Sequence, residues 1–125
     1  MRWPFRRRMP LSCRGEDLAA RHLRRNGYKI LERNARFGRY EIDIIAQERD
    51  TIVFVEVKTR QDDGMAAPEE SVDWTKRRHI RAAARGYISR RNDPGMYYRF
   101  DVVSVLLPEG GKPLVTLFRD AFHDE

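Results

Sequence analysis

Apolar positions along the chain follow two periods in turn, and the changes between them mark the elements. From Arg14 to Asn26 the stretch RGEDLAARHLRRN has helical spacing, and Gly27 supplies a C-terminal stop. Strand patterns follow at Tyr28–Asn34 (YKILERN), Arg39–Gln47 (RYEIDIIAQ) and Asp50–Arg60 (DTIVFVEVKTR). The polar Glu48-Arg49-Asp50 between the last two suits a tight reversal, which predicts a hairpin. Gln61–Glu70 reads as a loop, and Ser71 is placed to cap a long helix from about Val72 to Arg91, ended by Asn92-Asp93-Pro94-Gly95. A fourth strand is expected at Tyr98–Leu107. The turn Pro108–Pro113 then leads to a last strand ending at Phe118. The order α-β-β-β-α-β-β predicts one α/β domain over residues 14–125, a mixed central sheet flanked by helices, behind a flexible basic arm at residues 1–13.

Several charged residues break this pattern. In TIVFVEVKTR, Glu56 and Lys58 share a strand face with Ile52 and Phe54, while Val53, Val55 and Val57 take the other. At about 100° per residue, Glu16 lies in the apolar stripe of the first helix with Ala19, Ala20 and Leu23. Lys76 lies likewise in the stripe of Val72, Ile80, Ala83, Ala84 and Tyr87. Arg77, Arg78, Arg81 and Arg85 gather on the opposite, solvent face. If Glu48–Thr51 form the hairpin loop, paired positions sum to 99 and Asp43 stands across from Glu56, with Glu41 on the same face. Opposed carboxylates destabilise a sheet, so either Lys58 or a divalent cation should compensate them. Glu16, Asp43, Glu56, Lys58 and Lys76 thus converge on one sheet edge. Carboxylate oxygens suit Mg²⁺ or Mn²⁺, and a neighbouring lysine suits metal-assisted phosphodiester hydrolysis.

Each residue also has a plainer reading: a strand-end ion pair for Glu56 and Lys58, a first-turn acid for Glu16, a snorkelling stem for Lys76. Together these need several coincidences, which favours the joint site. Trp74, Phe100, Val102 and Val103 read as core. Asp101 acquires no role, and His22, His79 and His123 show no ligand spacing.

Composition adds a partner class. The 125 residues carry 25 Lys plus Arg against 19 Asp plus Glu, a net charge of +6 and a pI near 9.9, which fits a polyanion. The single Cys13 excludes an internal disulfide and a multi-cysteine zinc site. No apolar run suits a membrane span or a secretory signal, so the expected location is the cytoplasm.

Asp43 followed by Glu56-Val57-Lys58 resembles the PD-(D/E)xK signature of restriction-endonuclease-like nucleases, and Glu16 is similar to the extra acid of the Holliday-junction resolvase branch. More narrowly, Gly15-Glu16…Ala19, Gly27-Tyr28…Leu31, Glu41-Ile-Asp43…Ala46, Val53-Phe-Val-Glu-Val-Lys-Thr-Arg60, Lys76 and Ala84…Tyr87 resemble the YraN-like family of small bacterial proteins. Tyr40 stands where that family usually has Gly. The resemblance implies a restriction-endonuclease-like core with Asp43 and Glu56 as metal ligands, Glu16 as accessory ligand and Lys58 as catalytic lysine. Lys76, Arg60, Arg77 and Arg81 are the expected nucleic-acid-binding residues. The resulting expectation is a Mg²⁺- or Mn²⁺-dependent endonuclease on structured or branched nucleic acid, DNA ahead of RNA, with a homodimer for cutting two strands. The alternative is a non-catalytic nucleic-acid-binding protein that keeps the fold.

Overall fold

The structure, a computed structural model, describes residues 11–61 and 74–122. The expected Ser71 cap, nearly all of the Gln61–Glu70 loop and most of the N-terminal arm lie outside the described residues. Seven elements follow in chain order: α1 (Leu11–Arg25), β1 (Lys29–Phe37), β2 (Tyr40–Glu48), β3 (Thr51–Arg60), α2 (Trp74–Arg91), β4 (Tyr97–Leu106) and β5 (Leu114–Phe122). The order matches the expected α-β-β-β-α-β-β. Three boundaries differ by three or more residues. Helix α1 starts at Leu11, inside the segment expected to be a flexible arm. β1 runs on to Phe37 and β5 to Phe122, past Asn34 and Asp120, each at positive φ (52° and 53°). Around Asp120 the β4–β5 pairing shifts register, while the pairs on either side of Asn34 keep theirs.

The strands form one sheet in the order β1-β2-β3-β4-β5, antiparallel throughout except for the parallel β3–β4 pair. That parallel pair requires a crossover, and α2 lies on it. The β2–β3 ladder runs from Glu48↔Thr51 to Ile44↔Val55, the register in which paired positions sum to 99.

Each face of the sheet carries its own core. α2 contributes Ile80, Ala83, Ala84 and Tyr87, which pack with Ile45, Ile52, Phe54, Phe100 and Val102. On the other face α1 contributes Ala19, Ala20 and Leu23, which meet Ile44, Ala46, Val53, Val55, Val103 and Val105. Full burial of each large aliphatic or aromatic chain here stabilises by about 1.5–3 kcal/mol. The central strands are therefore apolar on both faces, as the β3 sequence implied. Neither described helix is long and apolar enough to cross a membrane.

Two close approaches place the helices. A Cβ added at Gly15 would overlap Thr59 Oγ1 and sit 2.9 Å from Thr59 Cβ, so only glycine lets α1 press onto the end of β3. A Cβ at Gly86 would stand 3.1 Å from the Phe37 ring. The first of these sets the position of the neighbouring Glu16.

Candidate functional site

The site begins where regular pairing between β2 and β3 stops. Beyond Ile44↔Val55 the carboxylate of Asp43 takes the place of a backbone acceptor: the Val57 N–H donates to Asp43 Oδ2 at 2.8 Å. The same point is irregular on the β1 side, where Arg33↔Ile44 and Ala35↔Ile42 flank Asn34, the residue at positive φ. Strict alternation would put Ile42 and Ile44 on one face. Instead Ile42 joins the α2-side core and Ile44 the α1-side core. This reversal separates Glu41 from the site. Glu41 turns to Arg36 at 3.3 Å and is exposed, which corrects the expectation that it shares a face with Asp43 and Glu56.

Asp43, Glu56, Val57, Lys58, Thr59, Glu16, Leu11 and Lys76 line one open cavity of about 400 Å³. All four residues of the expected catalytic set, with Lys76, thus meet in one place. They arrive from both faces: Glu56 and Lys58 from the α2 face of β3, Glu16 from α1. Glu56 is only 4% exposed, with Lys76 Nζ at 3.0 Å and Lys58 Nζ at 3.9 Å. Burial pushes its carboxyl up to about 7, and the facing Asp43 charge adds to this, against the pull of Lys76. A hydrogen bond between the Glu56 and Asp43 carboxyls acts in the same direction, since it exists only while one of the two holds a proton. The Glu16 carboxyl is also raised, first by burial and then by Asp43, while Asn34 and Arg33 oppose the shift. Perturbed acids gathered in a cleft are the usual mark of a functional site.

The outlying basic residues divide. Arg60 is half-buried two positions beyond Lys58 and does not line the cavity. Arg77 reaches back over the Phe122 ring at 5.3 Å. Arg81, expected on the solvent face, is buried at 7% exposure, so the buried part of α2 is wider than the single stripe read from the sequence. Trp74 corrects the sequence reading in the other direction: expected in the core, it is 64% exposed. Tyr40, at the family's glycine position, stacks on His79 with ring centroids 4.4 Å apart and so ties β2 to α2.

One buried acid went unrecognised in the sequence. Asp101 is fully buried and accepts from Tyr28 Oη (2.9 Å), Arg99 (2.9 and 3.2 Å) and the Asp120 N–H (2.9 Å). Arg99 also reaches Glu48 at 3.1 Å, and Arg119 reaches Glu48 at 2.7 Å. The available signal was a lone acid inside the apolar run from Phe100 to Val105.

Divalent-cation binding can be tested against this donor set. Asp43 and Glu56 are hard oxygen ligands whose mutual repulsion a cation would relieve, and the Lys76 ammonium already rests on Glu56. The two therefore fit a divalent cation. Among the described residues, however, no three His, Cys, Asp or Glu side chains are grouped as a metal-holding set, so Glu16 shares the cavity without completing a triad.

The mixed sheet, its two covering helices and the acids at the end of β3 make this an α/β protein compatible with a restriction-endonuclease-like core. The model of the uncharacterised protein family UPF0102 matches residues 15–105, and the chain belongs to that family, the YraN-like one. A UPF0102 protein of Chlorobaculum tepidum is 49% identical over 96 residues, which is 77% of this chain and 74% of the relative. One from Nocardia farcinica is 43% identical over 112 residues (90% and 88%), and one from Rhodococcus opacus 42% over 114 residues (91% and 97%).

Proposed function

We propose that this chain is a cytoplasmic, Mg²⁺- or Mn²⁺-dependent nuclease that hydrolyses phosphodiester bonds in structured or branched nucleic acid, DNA ahead of RNA. The observation that carries this reading is the buried Glu56 carboxyl held against Asp43, with two lysine ammoniums beside it. An acid pair that destabilises the fold and gathers cations makes sense as a site awaiting one.

In this reading Asp43 and Glu56 hold the cation, with the Asp43 carboxylate also fixed by the Val57 N–H. A bound cation would supply charge neutralisation at the phosphate and a more acidic water. Lys58, on the same face as Glu56, orients the attacking water or donates to the phosphate oxygen that gains charge. Lys76 leaves Glu56 and pairs with a phosphate. Glu16 orders water at the α1 side of the cavity. Cleavage of both strands of a branched substrate would use a symmetric pair of chains.

The Lys76–Glu56 ion pair also favours a second reading, a nucleic-acid-binding protein in which the ammonium replaces the cation and nothing is cleaved. Calorimetry with Mn²⁺ on the wild type and Asp43→Ala, beside nuclease assays on linear and branched DNA, separates the two. The nuclease reading expects Mn²⁺ binding and cleavage that are both lost in Asp43→Ala. Nucleic-acid binding with neither Mn²⁺ uptake nor cleavage would establish the second reading.

A further inference from the structure

A second cavity, of about 460 Å³, opens on the α1 side of the molecule, lined by Asp17, Arg21, Arg24, Arg25 and Arg33. Four arginines therefore share this lining with one carboxylate. Arg33 Nη2 holds Asp17 at 2.7 Å and approaches Glu16 at 3.9 Å, so this basic groove adjoins the Asp43–Glu56 cavity that Glu16 also lines. Arg21, Arg24 and Arg25 are exposed.

Structural roles account for part of this cluster. A basic last turn suits the negative end of a helix, which covers Arg24 and Arg25. It does not cover Arg21, nor the arrival of Arg33 from β1 in the same cavity. Arginines three and four positions apart on one helix repel. Asp17 offsets one charge of four, which leaves a surplus that suits a polyanion, and guanidinium forks match phosphate oxygens.

We infer that the α1 groove is a phosphate-backbone site for the strand whose scissile bond lies at Asp43 and Glu56. This rests on the nuclease reading and extends it: substrate is gripped by α1, on the sheet face opposite the α2-borne Lys76. Arg24 follows Glu16 by eight positions, about 12 Å along the helix. At about 3.4 Å of axis per nucleotide of one strand, the groove engages backbone roughly three to four nucleotides from the bond that is cut. An isolated dinucleotide would miss it.

The test is fluorescence anisotropy of the full chain with a labelled DNA duplex and a four-way junction, in EDTA so that nothing is cleaved, across a salt series. Arg21→Gln/Arg24→Gln is expected to bind at least about tenfold more weakly near 100 mM salt, and to lower the slope of log K against log salt by about two, one per lost phosphate contact. Its thermal stability should match or exceed that of the wild type, since the removed charges repel. Lys112→Gln, in the turn between β4 and β5 at the other edge of the sheet, should bind as the wild type does. Wild-type binding with an unchanged slope in the double variant overturns the groove and leaves the nuclease reading standing. A wild type that binds no DNA overturns both.

Discussion

Glu56 and Asp101 lie one register step apart on neighbouring strands, since Glu56 pairs with Val102, yet they point to opposite faces of the sheet and behave as opposites. Asp101 is fully buried with four donor groups aimed at it, among them Tyr28 Oη and the Arg99 guanidinium. The same network acts on its members: the hydrogen bonds it donates to Asp101 hold the Arg99 guanidinium above its ordinary range, and burial beside Asp101 raises the Tyr28 hydroxyl. Every charge there has its counterpart within the fold. Glu56, almost as buried, faces another carboxylate and is held by lysines on its open side. A buried acid ringed by donors locks strands together; one set against a second carboxylate is tolerated only where something else needs it. The contrast teaches that burial of an acid marks function only when its partners fail to close around it.

Removal of each acid should therefore have opposite consequences. Asp101→Ala leaves Arg99, Tyr28 and the Asp120 N–H without their acceptor, and should cost about 3–5 kcal/mol in urea unfolding. A loss below 1 kcal/mol would mean that the network is not structural. The next largest effect is on the site side. Gly15→Ala drives α1 away from Thr59 and should cost about 1–3 kcal/mol, recovered in part by adding Thr59→Ala, which removes the Oγ1 overlap but keeps the Cβ at 2.9 Å. No recovery in the double variant would place the strain elsewhere.

The third effect, of similar size, has the opposite sign. Glu56 is raised from 4.5 to about 7, so the folded chain binds its proton more tightly than the unfolded chain does. Its stabilising contribution is full below about pH 4.5, declines as pH rises, and is gone above about pH 7. Glu56→Gln should therefore gain stability at pH 8, on the order of 1–3 kcal/mol, with the gain fading towards pH 4.5. Thermal melts of wild type and variant over that range check it. A variant less stable than wild type at pH 8 would show Glu56 to be a structural ion-pair member like Glu48, whose carboxyl is held below its ordinary range mainly by Arg119.

Element types and order were legible because periods of 3.6 and 2 are local properties of the chain, as in Ala19, Ala20 and Leu23 or in Ile52 and Phe54. The hairpin register was legible too, since Glu48-Arg49-Asp50 allows a short turn and the turn length sets the pairing. From these alone Glu16, Asp43, Glu56, Lys58 and Lys76 converge, and the structure places all five around one cavity. Glu41 was misplaced because strand alternation reverses at Asp43 and Asn34, a break that depends on the neighbouring strand and leaves no periodic trace. Arg81 and Trp74 exchanged places, buried and exposed respectively, because burial on a helix depends on what packs over it and not on its own period alone.

What the sequence determined by itself was the alternation of elements and the list of acids and bases out of keeping with it. Only the tertiary structure decided which of those charges are answered. Asp101 finds partners in Tyr28, just ahead of β1, and in β5, which are 73 and 19 residues away along the chain. The closing of a charge depends on distances between strands, and no local pattern of residues encodes those distances.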